Sequence, residues 1–186
     1  NSRMELCVAN GRHYEGYDVS AEFMAFDKKR AEELKTFFPS AKINLWVHDS
    51  RYCKHTKSNS ADFTLTSPPY YDVEWYGDEP EQLGKSKTYD EFLVGIGMTL
   101  KENYRVLRPG AFAVWFINDF RRKGVFHLYH MDIARLGQDA GFTVHDIMVV
   151  DFGPGIRDAF YNETYRTKVL PKRHEFGIIF RKGQVK

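Results

Sequence analysis

The sequence predicts one α/β domain with an open, mostly parallel sheet. Short apolar runs at 43–47, 61–65 and 111–117 have the length and composition of buried strands, and longer segments of helical periodicity lie between them. Asp18 and Asp49 follow the ends of two predicted strands, and in sheets of this kind ligands bind at the carboxyl ends of the strands. A chain of 186 residues is long enough to bury its own core as a single domain.

The composition narrows the class of protein. Cys7 and Cys53 are far apart and belong to no metal-ligand or Cys-x-x-Cys spacing, which favours a reduced compartment and gives no metal site. No apolar run is long enough to cross a bilayer and the first residues carry no signal pattern, so we expect a cytoplasmic protein without a membrane partner. The formal net charge of +2 is weak evidence for nucleic-acid binding, so any basic surface must be local.

The first quarter of the chain predicts two helices and two strands. Residues 3–10 have helical composition, and Asn10-Gly11 ends that helix. A strand ending at Asp18 follows, and Ser20 can cap a second helix before the strand at 43–47. A carboxylate beside a helix start suits ribose hydroxyls, although a solvated aspartate in a turn has the same spacing. The apolar residues of the second helix recur at roughly helical spacing and are Phe23, Phe26, Leu34 and Phe37.

The strand at 61–65 runs into Thr66-Ser67-Pro68-Pro69-Tyr70, the most informative stretch of the chain. Two consecutive prolines have a fixed φ and no N–H, so the strand must stop and leave a rigid corner whose carbonyl groups can accept hydrogen bonds. Ser67 before the prolines and Tyr70 after them place an acceptor and a flat apolar face on that corner. This combination suits a planar group that carries an NH2, such as a nucleobase. A Pro-Pro turn with an incidental tyrosine is the structural alternative.

The remainder of the chain continues the alternation of helices and strands. A loop at 71–87 is rich in aromatic and acidic residues. His127 and His130 lie three residues apart on a predicted helix, and we interpret them as helix-surface residues because no third metal ligand is near. The predicted elements are a helix at 89–107 capped by Thr88, a strand at 111–117, a helix at 125–140, and strands at 142–150 and 174–182.

Two segments concentrate positive charge and suit contact with nucleic-acid phosphates. The first follows the strand at 111–117, where three adjacent cations lie on the side of the sheet expected to hold the site. The second is 151–171, a long segment without clear periodicity in which cations and aromatic residues alternate. A solvated loop is the alternative for each residue taken singly. The predicted DNA-binding residues are Arg121, Arg122, Lys123, Arg157, Arg166 and Lys168.

Ser67-Pro68-Pro69-Tyr70 after a hydrophobic strand resembles the catalytic motif of DNA amino-methyltransferases, which use S-adenosyl-L-methionine (AdoMet) to methylate N4 of cytosine or N6 of adenine. Residues 105–110, which read Arg-Val-Leu-Arg-Pro-Gly, and residues 174–182 resemble the same family, so the resemblance extends over nearly the whole chain. It implies a Rossmann-like AdoMet-dependent methyltransferase fold with a mostly parallel sheet and an antiparallel C-terminal strand. It also implies that 1–186 form a single catalytic domain.

The resemblance further implies the site residues. Asp18 is expected to bind the AdoMet ribose and Asp49 the adenine amino group, and the expected cofactor site is completed by Tyr17, Ser50 and Thr66. The expected catalytic residues are Ser67, Pro68, Pro69 and Tyr70. The Ser67 hydroxyl and the Pro68 carbonyl would accept hydrogen bonds from the target amine, and Tyr70 would stack on the flipped base. No cysteine nucleophile is needed, in contrast to methylation at C5 of cytosine.

In the resembling family a glycine-rich phosphate loop and the strand before it precede the first helix, and residues 1–186 do not include that motif. Its strand lies between the strand that ends at Asp18 and the one that ends at Thr66. We therefore expect the strand to come from residues outside this sequence, from a rearranged chain, or from a partner chain such as the second subunit of a homodimer.

These inferences predict a site-specific methyltransferase of DNA amino groups in a bacterial, archaeal or phage-infected cell, with restriction-modification or phage self-protection as its setting. Serine at the first position of the motif favours N4 of cytosine over N6 of adenine. One alternative is methylation of RNA or of a protein amide, which usually goes with Asn in place of Ser67. The other is a catalytically silent DNA-binding or assembly subunit with the same fold, which AdoMet binding would separate from an enzyme.

Overall fold

The fold alternates helices and strands in a computed structural model that describes residues 2–74, 77–153, 165–170 and 172–183. Its helices are α1 (Ser2–Ala9), α2 (Ala21–Phe37), α3 (Tyr89–Val106) and α4 (Tyr129–Asp139). Its strands are β1 (Tyr14–Asp18), β2 (Ile43–Val47), β3 (Ala61–Thr66), β4 (Leu107–Ile117), β5 (Phe120–Arg122), β6 (Val125–His127), β7 (Phe142–Asp151) and β8 (His174–Lys182). No helix in the described ranges is long and apolar enough to cross a membrane.

The strands form a mostly parallel arrangement with one antiparallel C-terminal strand, as predicted. β1 and β2 pair in parallel, and a second sheet has the order β3-β4-β8-β7. β3, β4 and β7 run in one direction, whereas β8 is antiparallel to both of its neighbours. Within the described residues β1 pairs with β2 alone and β3 with β4 alone. The division between the two sheets therefore falls where the sequence predicts a further strand, and the origin of that strand stays a prediction.

The main core lies between the four-stranded sheet and the pair of helices α3 and α4. Its largest fully buried side chains are Trp115 and Phe180 on the sheet and Phe92, Tyr129 and Ile133 on the helices. Burying one such side chain contributes about 1.5–3 kcal/mol. A smaller core joins α1 and α2 to β1 and β2 and consists of Met4, Val8, Ala31 and Leu34.

The structure confirms the predicted N-terminal cap of α2 and buries Leu34, but the three phenylalanines predicted with Leu34 are exposed. Ser20 Oγ accepts a hydrogen bond from the Phe23 amide, as predicted for the cap. Phe23, Phe26 and Phe37 are 59%, 68% and 75% exposed. The buried stripe lies on an adjacent face of the helix, because contact with α1, β1 and β2 selects it, and it consists of Met24, Ala31 and Leu34.

Strand β3 is less buried than predicted. Phe63 and Leu65 are 53% and 38% exposed. Both residues are in register with Phe112 and Val114 of β4, on the face of the sheet opposite α3 and α4. An apolar run predicts a strand but does not determine whether both of its faces are covered.

The prediction of a helix at 125–140 is wrong at its start, because α4 begins at Tyr129. Val125–His127 instead pair with Phe120–Arg122 across a tight turn. Lys123 and Gly124 both have a positive φ, +48° and +81°, as a two-residue hairpin turn requires. A lysine at the first turn position hid the hairpin from a sequence-based prediction, since Asn, Asp or Gly is the usual signal there.

The two histidines consequently lie in different elements and are not helix-surface residues. His127 on β6 stacks on Phe120 with ring centroids 4.9 Å apart. His130 on α4 bonds through Nδ1 to Asp119 Oδ1 at 2.7 Å and stacks on Phe176. Throughout the described residues, no cluster of three or more His, Cys, Asp or Glu side chains could hold a metal ion.

Candidate active site

A cavity of about 440 Å³ opens at the carboxyl ends of β1, β2 and β3, where an α/β sheet is expected to bind its ligand. It lies across the division between the two sheets. Its wall contains all of the predicted cofactor-site residues and most of the predicted catalytic residues, namely Tyr17, Asp18, Asp49, Ser50, Thr66, Ser67, Pro68 and Pro69. The structure therefore brings together residues that are up to 52 positions apart in the sequence.

Asp18 presents its carboxylate to the cavity from the end of β1. One oxygen accepts a hydrogen bond of 2.8 Å from the Ser20 amide, which fixes the side chain at the start of α2. Partial desolvation raises the pKa of Asp18, and the nearby carboxylates of Asp27 and Glu79 raise it further. The remaining lone pairs of this carboxylate can accept hydrogen bonds from a pair of hydroxyl groups.

Asp49, at the end of β2, is already held by Arg51. Its Oδ1 accepts from the Arg51 amide at 2.8 Å, and its Oδ2 accepts from the Arg51 guanidinium at 2.8 Å and 2.6 Å. A carboxylate has about four acceptor positions, so these three bonds leave one for a ligand amino group. Arg51 also donates to the backbone oxygen of Glu81 at 3.4 Å, which joins this side of the cavity to the loop after the Ser-Pro-Pro-Tyr motif.

Tyr17 is positioned by a chain of side chains behind the cavity wall. Its hydroxyl lies 2.8 Å from Thr56 Oγ1, and the Thr56 hydroxyl donates to the Glu15 carboxylate. The loop that carries Thr56 is held in turn by Arg105, which donates to the backbone oxygens of Cys53 and Thr56, both at 3.0 Å. Arg105 belongs to the Arg-Val-Leu-Arg-Pro-Gly stretch, so that stretch has a structural role next to the site.

The Ser-Pro-Pro segment is fixed from two sides. Arg3 of α1 donates from Nη2 to Ser67 Oγ at 2.7 Å. Tyr129 at the start of α4 donates from its hydroxyl to the Pro69 carbonyl at 3.3 Å. Pro68 is buried between these contacts and has no N–H that would need a partner.

Tyr70 packs beside the cavity wall, in the aromatic cluster below the hairpin of β5 and β6. Its ring meets Phe120 and Tyr129 edge-on, each with centroids 5.9 Å apart. Desolvation, with a smaller contribution from Glu175, raises the pKa of Tyr70 to about 12. Its hydroxyl therefore stays protonated at neutral pH and cannot serve as a base.

Sequence reasoning missed part of the cavity wall. Phe23 and Phe26 face it from the first turns of α2, and their position directly after Asp18 and the Ser20 cap is the signal that could have found them. The other missed wall residues come from the start of the chain segment after Asp18, from α2, from the loop at 81–83 and from the core, and no local pattern distinguishes them. They are Val19, Asp27, Glu81, Gln82, Leu83, Ile96, Thr99 and Trp115.

The predicted DNA-binding cations that the structure describes lie in two places, the hairpin of β5 and β6 and the stretch 165–170. Arg122 and Lys123, at the tip of the hairpin, both pair with Asp72. Arg121 donates to the Gly124 carbonyl at 2.8 Å and lies over the Phe126 ring. Arg166 and Lys168 are exposed in the stretch 165–170, where the Lys168 ammonium lies 4.0 Å from the centroid of Tyr165. Arg157 lies outside the described residues.

A cavity at the carboxyl ends of parallel strands, with carboxylates on two strands and a Ser-Pro-Pro wall on a third, places the chain in the class of AdoMet-dependent methyltransferases. Solved structures share this fold. The chain superposes on the PvuII DNA methyltransferase (cytosine-N4-specific) with a TM-score of 0.57 and 14% identity, covering 75% of this chain and 49% of that one. A SAM-dependent methyltransferase from Methanosarcina mazei gives a TM-score of 0.57 and 16% identity, covering 97% and 86%.

Within that class, the chain belongs to the DNA methylase family (N6_N4_Mtase), which it matches over residues 61–186. The orphan methyltransferase M.BamHII of Bacillus amyloliquefaciens is 32% identical over 90 residues, which are 48% of this chain and 29% of M.BamHII. A protein of Thermus thermophilus assigned as a DNA modification methylase, solved with AdoMet, gives a TM-score of 0.54 and 23% identity over 74% of this chain and 55% of that one. The chain thus spans less than a third of M.BamHII and about half of two of these structures. The resemblance to DNA amino-methyltransferases is confirmed.

Proposed function

We propose that residues 1–186 are a single catalytic domain that transfers a methyl group from AdoMet to the exocyclic amino group of a DNA base. We favour N4 of cytosine over N6 of adenine because serine stands at the first position of the motif. The observation that carries the proposal is the one cavity that joins Asp18 and Asp49 to Ser67, Pro68 and Pro69.

The cavity suits AdoMet in size and chemistry. Its volume of about 440 Å³ lies within the ~300–1,000 Å³ that is usual for small-molecule sites. Asp18 can accept hydrogen bonds from ribose hydroxyls, and the remaining acceptor position of Asp49 can take the adenine amino group. Phe23 and Phe26 offer aromatic surface. The wall contains four carboxylates, of which Asp49 is already paired with Arg51, and the remaining negative charge favours a cationic ligand; the four are Asp18, Asp27, Asp49 and Glu81.

The motif residues act on the target amine. When bound, AdoMet supplies an electrophilic methyl group on a sulfonium centre. An exocyclic amine is a poor nucleophile because its lone pair is delocalised into the ring, so acceptors for its N–H groups must favour a pyramidal nitrogen. Ser67 Oγ and the Pro68 carbonyl are suited to that role on a backbone that the prolines make rigid. Their contribution is alignment and electrostatic complementarity to the transition state.

Tyr70 provides the stacking surface for the flipped base. Phe120 and Tyr129 hold its ring edge-on, so little side-chain freedom is lost when a base stacks on it. Stacking offsets part of the few kcal/mol that extrusion of a base costs. Because the Tyr70 hydroxyl stays protonated it does not act as a base, and the ring is the group that we propose contacts the flipped base.

The proposed partner is DNA, in the cytoplasm of a bacterial, archaeal or phage-infected cell. Contacts to phosphates are assigned to Arg121, Arg122, Lys123, Arg157, Arg166 and Lys168. Sequence recognition is assigned to the loops around 71–87 and 151–173, to a further segment, or to a partner. A partner or second subunit is also one proposed source of a strand between β1 and β3. Restriction-modification or phage self-protection is the proposed setting.

The decisive experiment is methyl transfer from labelled AdoMet to unmethylated DNA, followed by nucleoside analysis. The wild-type protein is compared with a Ser67→Ala, Tyr70→Ala double variant and with Ser60→Ala, a matched serine at the other end of β3 whose hydroxyl donates to Lys57. Labelled N4-methylcytosine or N6-methyladenine that is lost only in the double variant supports the proposal and identifies the base. Absence of transfer together with absence of saturable AdoMet binding would favour a silent subunit.

A further inference from the structure

One carboxylate of the loop at 71–87 holds two cations of the hairpin formed by β5 and β6. Asp72 Oδ2 lies 3.1 Å from Arg122 Nε and 3.3 Å from Lys123 Nζ. The hydrogen bonds from Arg122 and then Lys123 lower the pKa of Asp72, so the carboxylate is ionised at any pH near neutrality. The basic stretch 121–123 is therefore partly neutralised by a residue 50 positions away from Arg122.

The hairpin side of this contact is rigid. The Phe120–His127 pair at its base packs into the aromatic cluster, with those rings stacked 4.9 Å apart. The left-handed turn at Lys123 and Gly124 fixes the tip, and Arg121 closes it with a hydrogen bond to the Gly124 carbonyl. The backbone positions of Arg122 and Lys123 are therefore fixed by contacts that do not involve Asp72.

On the loop side, the backbone of Asp72 has a hydrogen bond and a left-handed conformation. The Asp72 amide donates to the Gly84 carbonyl at 3.2 Å, and its φ of +45° is unusual for a residue other than glycine. A cavity of about 260 Å³ lies within the loop and reaches Arg122 of the hairpin, and its charged wall residues are Asp72, Glu74, Lys85 and Arg122. There is consequently room beside the ion pairs for another anionic group.

The exposure of the pairs makes them replaceable. The side chains of Arg122 and Lys123 are 41% and 74% exposed, and that of Asp72 is 39% exposed. Exposed ion pairs are weak and are screened by salt. Duplex DNA, by contrast, presents about one negative charge per 1.7 Å of its length, and a phosphate offers a guanidinium the same paired oxygens as a carboxylate does.

We propose that Arg122 and Lys123 form a binding subsite for a DNA backbone phosphate, and that the Asp72 carboxylate occupies this subsite until DNA displaces it. The inference rests on the proposed function in taking DNA as the ligand. Asp72 follows Tyr70 by two residues, so its displacement releases the ion pairs between the segment after the motif and the hairpin, while the packing of Tyr70 on Phe120 remains. In this way, binding of the DNA backbone changes the contacts of the loop next to Tyr70, where the flipped base is proposed to stack.

The test measures binding of a fluorescent DNA duplex by anisotropy at several salt concentrations. Asp72→Asn removes the competing charge at nearly constant shape, and Asp62→Asn is the matched control, since Asp62 pairs with Arg108 at the opposite end of β3. We expect Asp72→Asn to bind DNA about two- to fivefold more tightly and with a steeper salt dependence, and Asp62→Asn to change the affinity much less. Arg122→Gln and the more exposed Lys123→Gln should weaken binding, and more so when Asp72 is already Asn.

Equal affinities of the Asp72 and Asp62 variants, or no DNA binding by any variant, would overturn the subsite. A methyl-transfer assay on the same protein preparations tests the proposed function independently of the subsite. If methyl transfer occurs but Asp72→Asn does not change the DNA affinity, the subsite is refuted and the proposed enzymatic function stands. A clear effect of Asp72→Asn on DNA affinity in a protein that transfers no methyl group supports the subsite and counts against catalysis.

Discussion

The Arg3 guanidinium donates a hydrogen bond to the hydroxyl of Ser67, with 2.7 Å between Nη2 and Oγ. The contact joins the first helix of the chain to a motif 64 residues later. A serine hydroxyl has two acceptor lone pairs and one donor, so Arg3 uses one lone pair and leaves the other for an incoming amine. Arg3 therefore orients the Ser67 hydroxyl and leaves it able to accept a hydrogen bond from the target amine.

We expect Arg3→Ala to lower the rate constant of methyl transfer about two- to tenfold, the usual effect of one lost hydrogen bond, through looser orientation of Ser67. In a Ser67→Ala background the same change should have no further effect, because its effect passes through that hydroxyl. Single-turnover kinetics of the two variants and their combination measure the coupling. Arg12→Ala, which removes a positive charge between α1 and β1, is the control for loss of one cation, and independent effects of Arg3 and Ser67 would contradict the assignment.

Asp18 should make AdoMet binding dependent on pH. Ribose hydroxyls need the ionised carboxylate as acceptor, and the folded protein raises the pKa of Asp18 above its usual 3.8. Affinity is therefore expected to fall as the pH is lowered through that raised value, and calorimetric titration across the acidic range would show it. In Asp18→Asn the affinity should be about tenfold or more weaker and should lose this pH dependence.

The same raised pKa has a consequence for stability. A carboxyl group with a raised pKa in the folded state contributes stability that is present below its unfolded pKa and is lost as the pH rises through the folded value. The ionised Asp18 is thus a cost to the ligand-free fold at neutral pH. We expect Asp18→Asn to unfold at the same or a higher temperature than the wild type at pH 7; a clear decrease would show that Asp18 is structural and not a ligand group.

Thr56 should affect the affinity for AdoMet although its side chain does not line the cavity. Thr56→Val keeps the shape of the side chain but removes the hydroxyl between Tyr17 and Glu15. We expect the AdoMet dissociation constant to rise about two- to tenfold while the transfer rate at saturating AdoMet changes little. Tyr17→Phe should give a similar loss and no additional loss in the double variant. Thr36→Val, whose hydroxyl bonds only within α2, should bind normally.

Two buried helical glycines should respond oppositely to alanine. A Cβ on Gly137 would lie 2.2 Å from Cε1 of the fully buried Phe180 ring, so α4 would have to shift, and we expect a loss of about 1–3 kcal/mol in the free energy of unfolding. A Cβ on Gly97 would meet Leu136 at an ordinary 3.5 Å, and the higher helix propensity of alanine should stabilise α3 by up to ~1 kcal/mol. Chemical denaturation of the two variants compares them, and similar effects would count against this packing.

The stability of the junction between α3 and β4 should depend on Lys182. Its ammonium donates to the Tyr104 and Leu107 carbonyls at 2.6 Å and 2.8 Å and is almost fully buried. Lys182→Met should lower the free energy of unfolding by about 1–3 kcal/mol because it leaves carbonyl groups without a donor. Lys101→Met, at an exposed position of α3, should have little effect in the same denaturation experiment.

The sequence by itself determined the order of the main elements and most of the candidate site. Asp49 and Ser67 each follow a strand that its own apolar run predicts, and Asp18 ends a short strand that precedes a helix cap. Parallel strands bring their carboxyl ends to one edge. Local signals also sufficed for the caps at Ser20 and Thr88, since a cap depends on residues within one turn of the helix.

Only the tertiary structure decided which faces are covered and which distant side chains meet. Phe23 and Phe26 have the spacing of a core stripe, yet docking of α1 and the first two strands selected the adjacent face and left these rings at the cavity. The pairs Arg3–Ser67 and Asp72–Arg122 join segments 64 and 50 residues apart. Their formation depends on how whole elements pack against one another, which local periodicity and propensity do not encode.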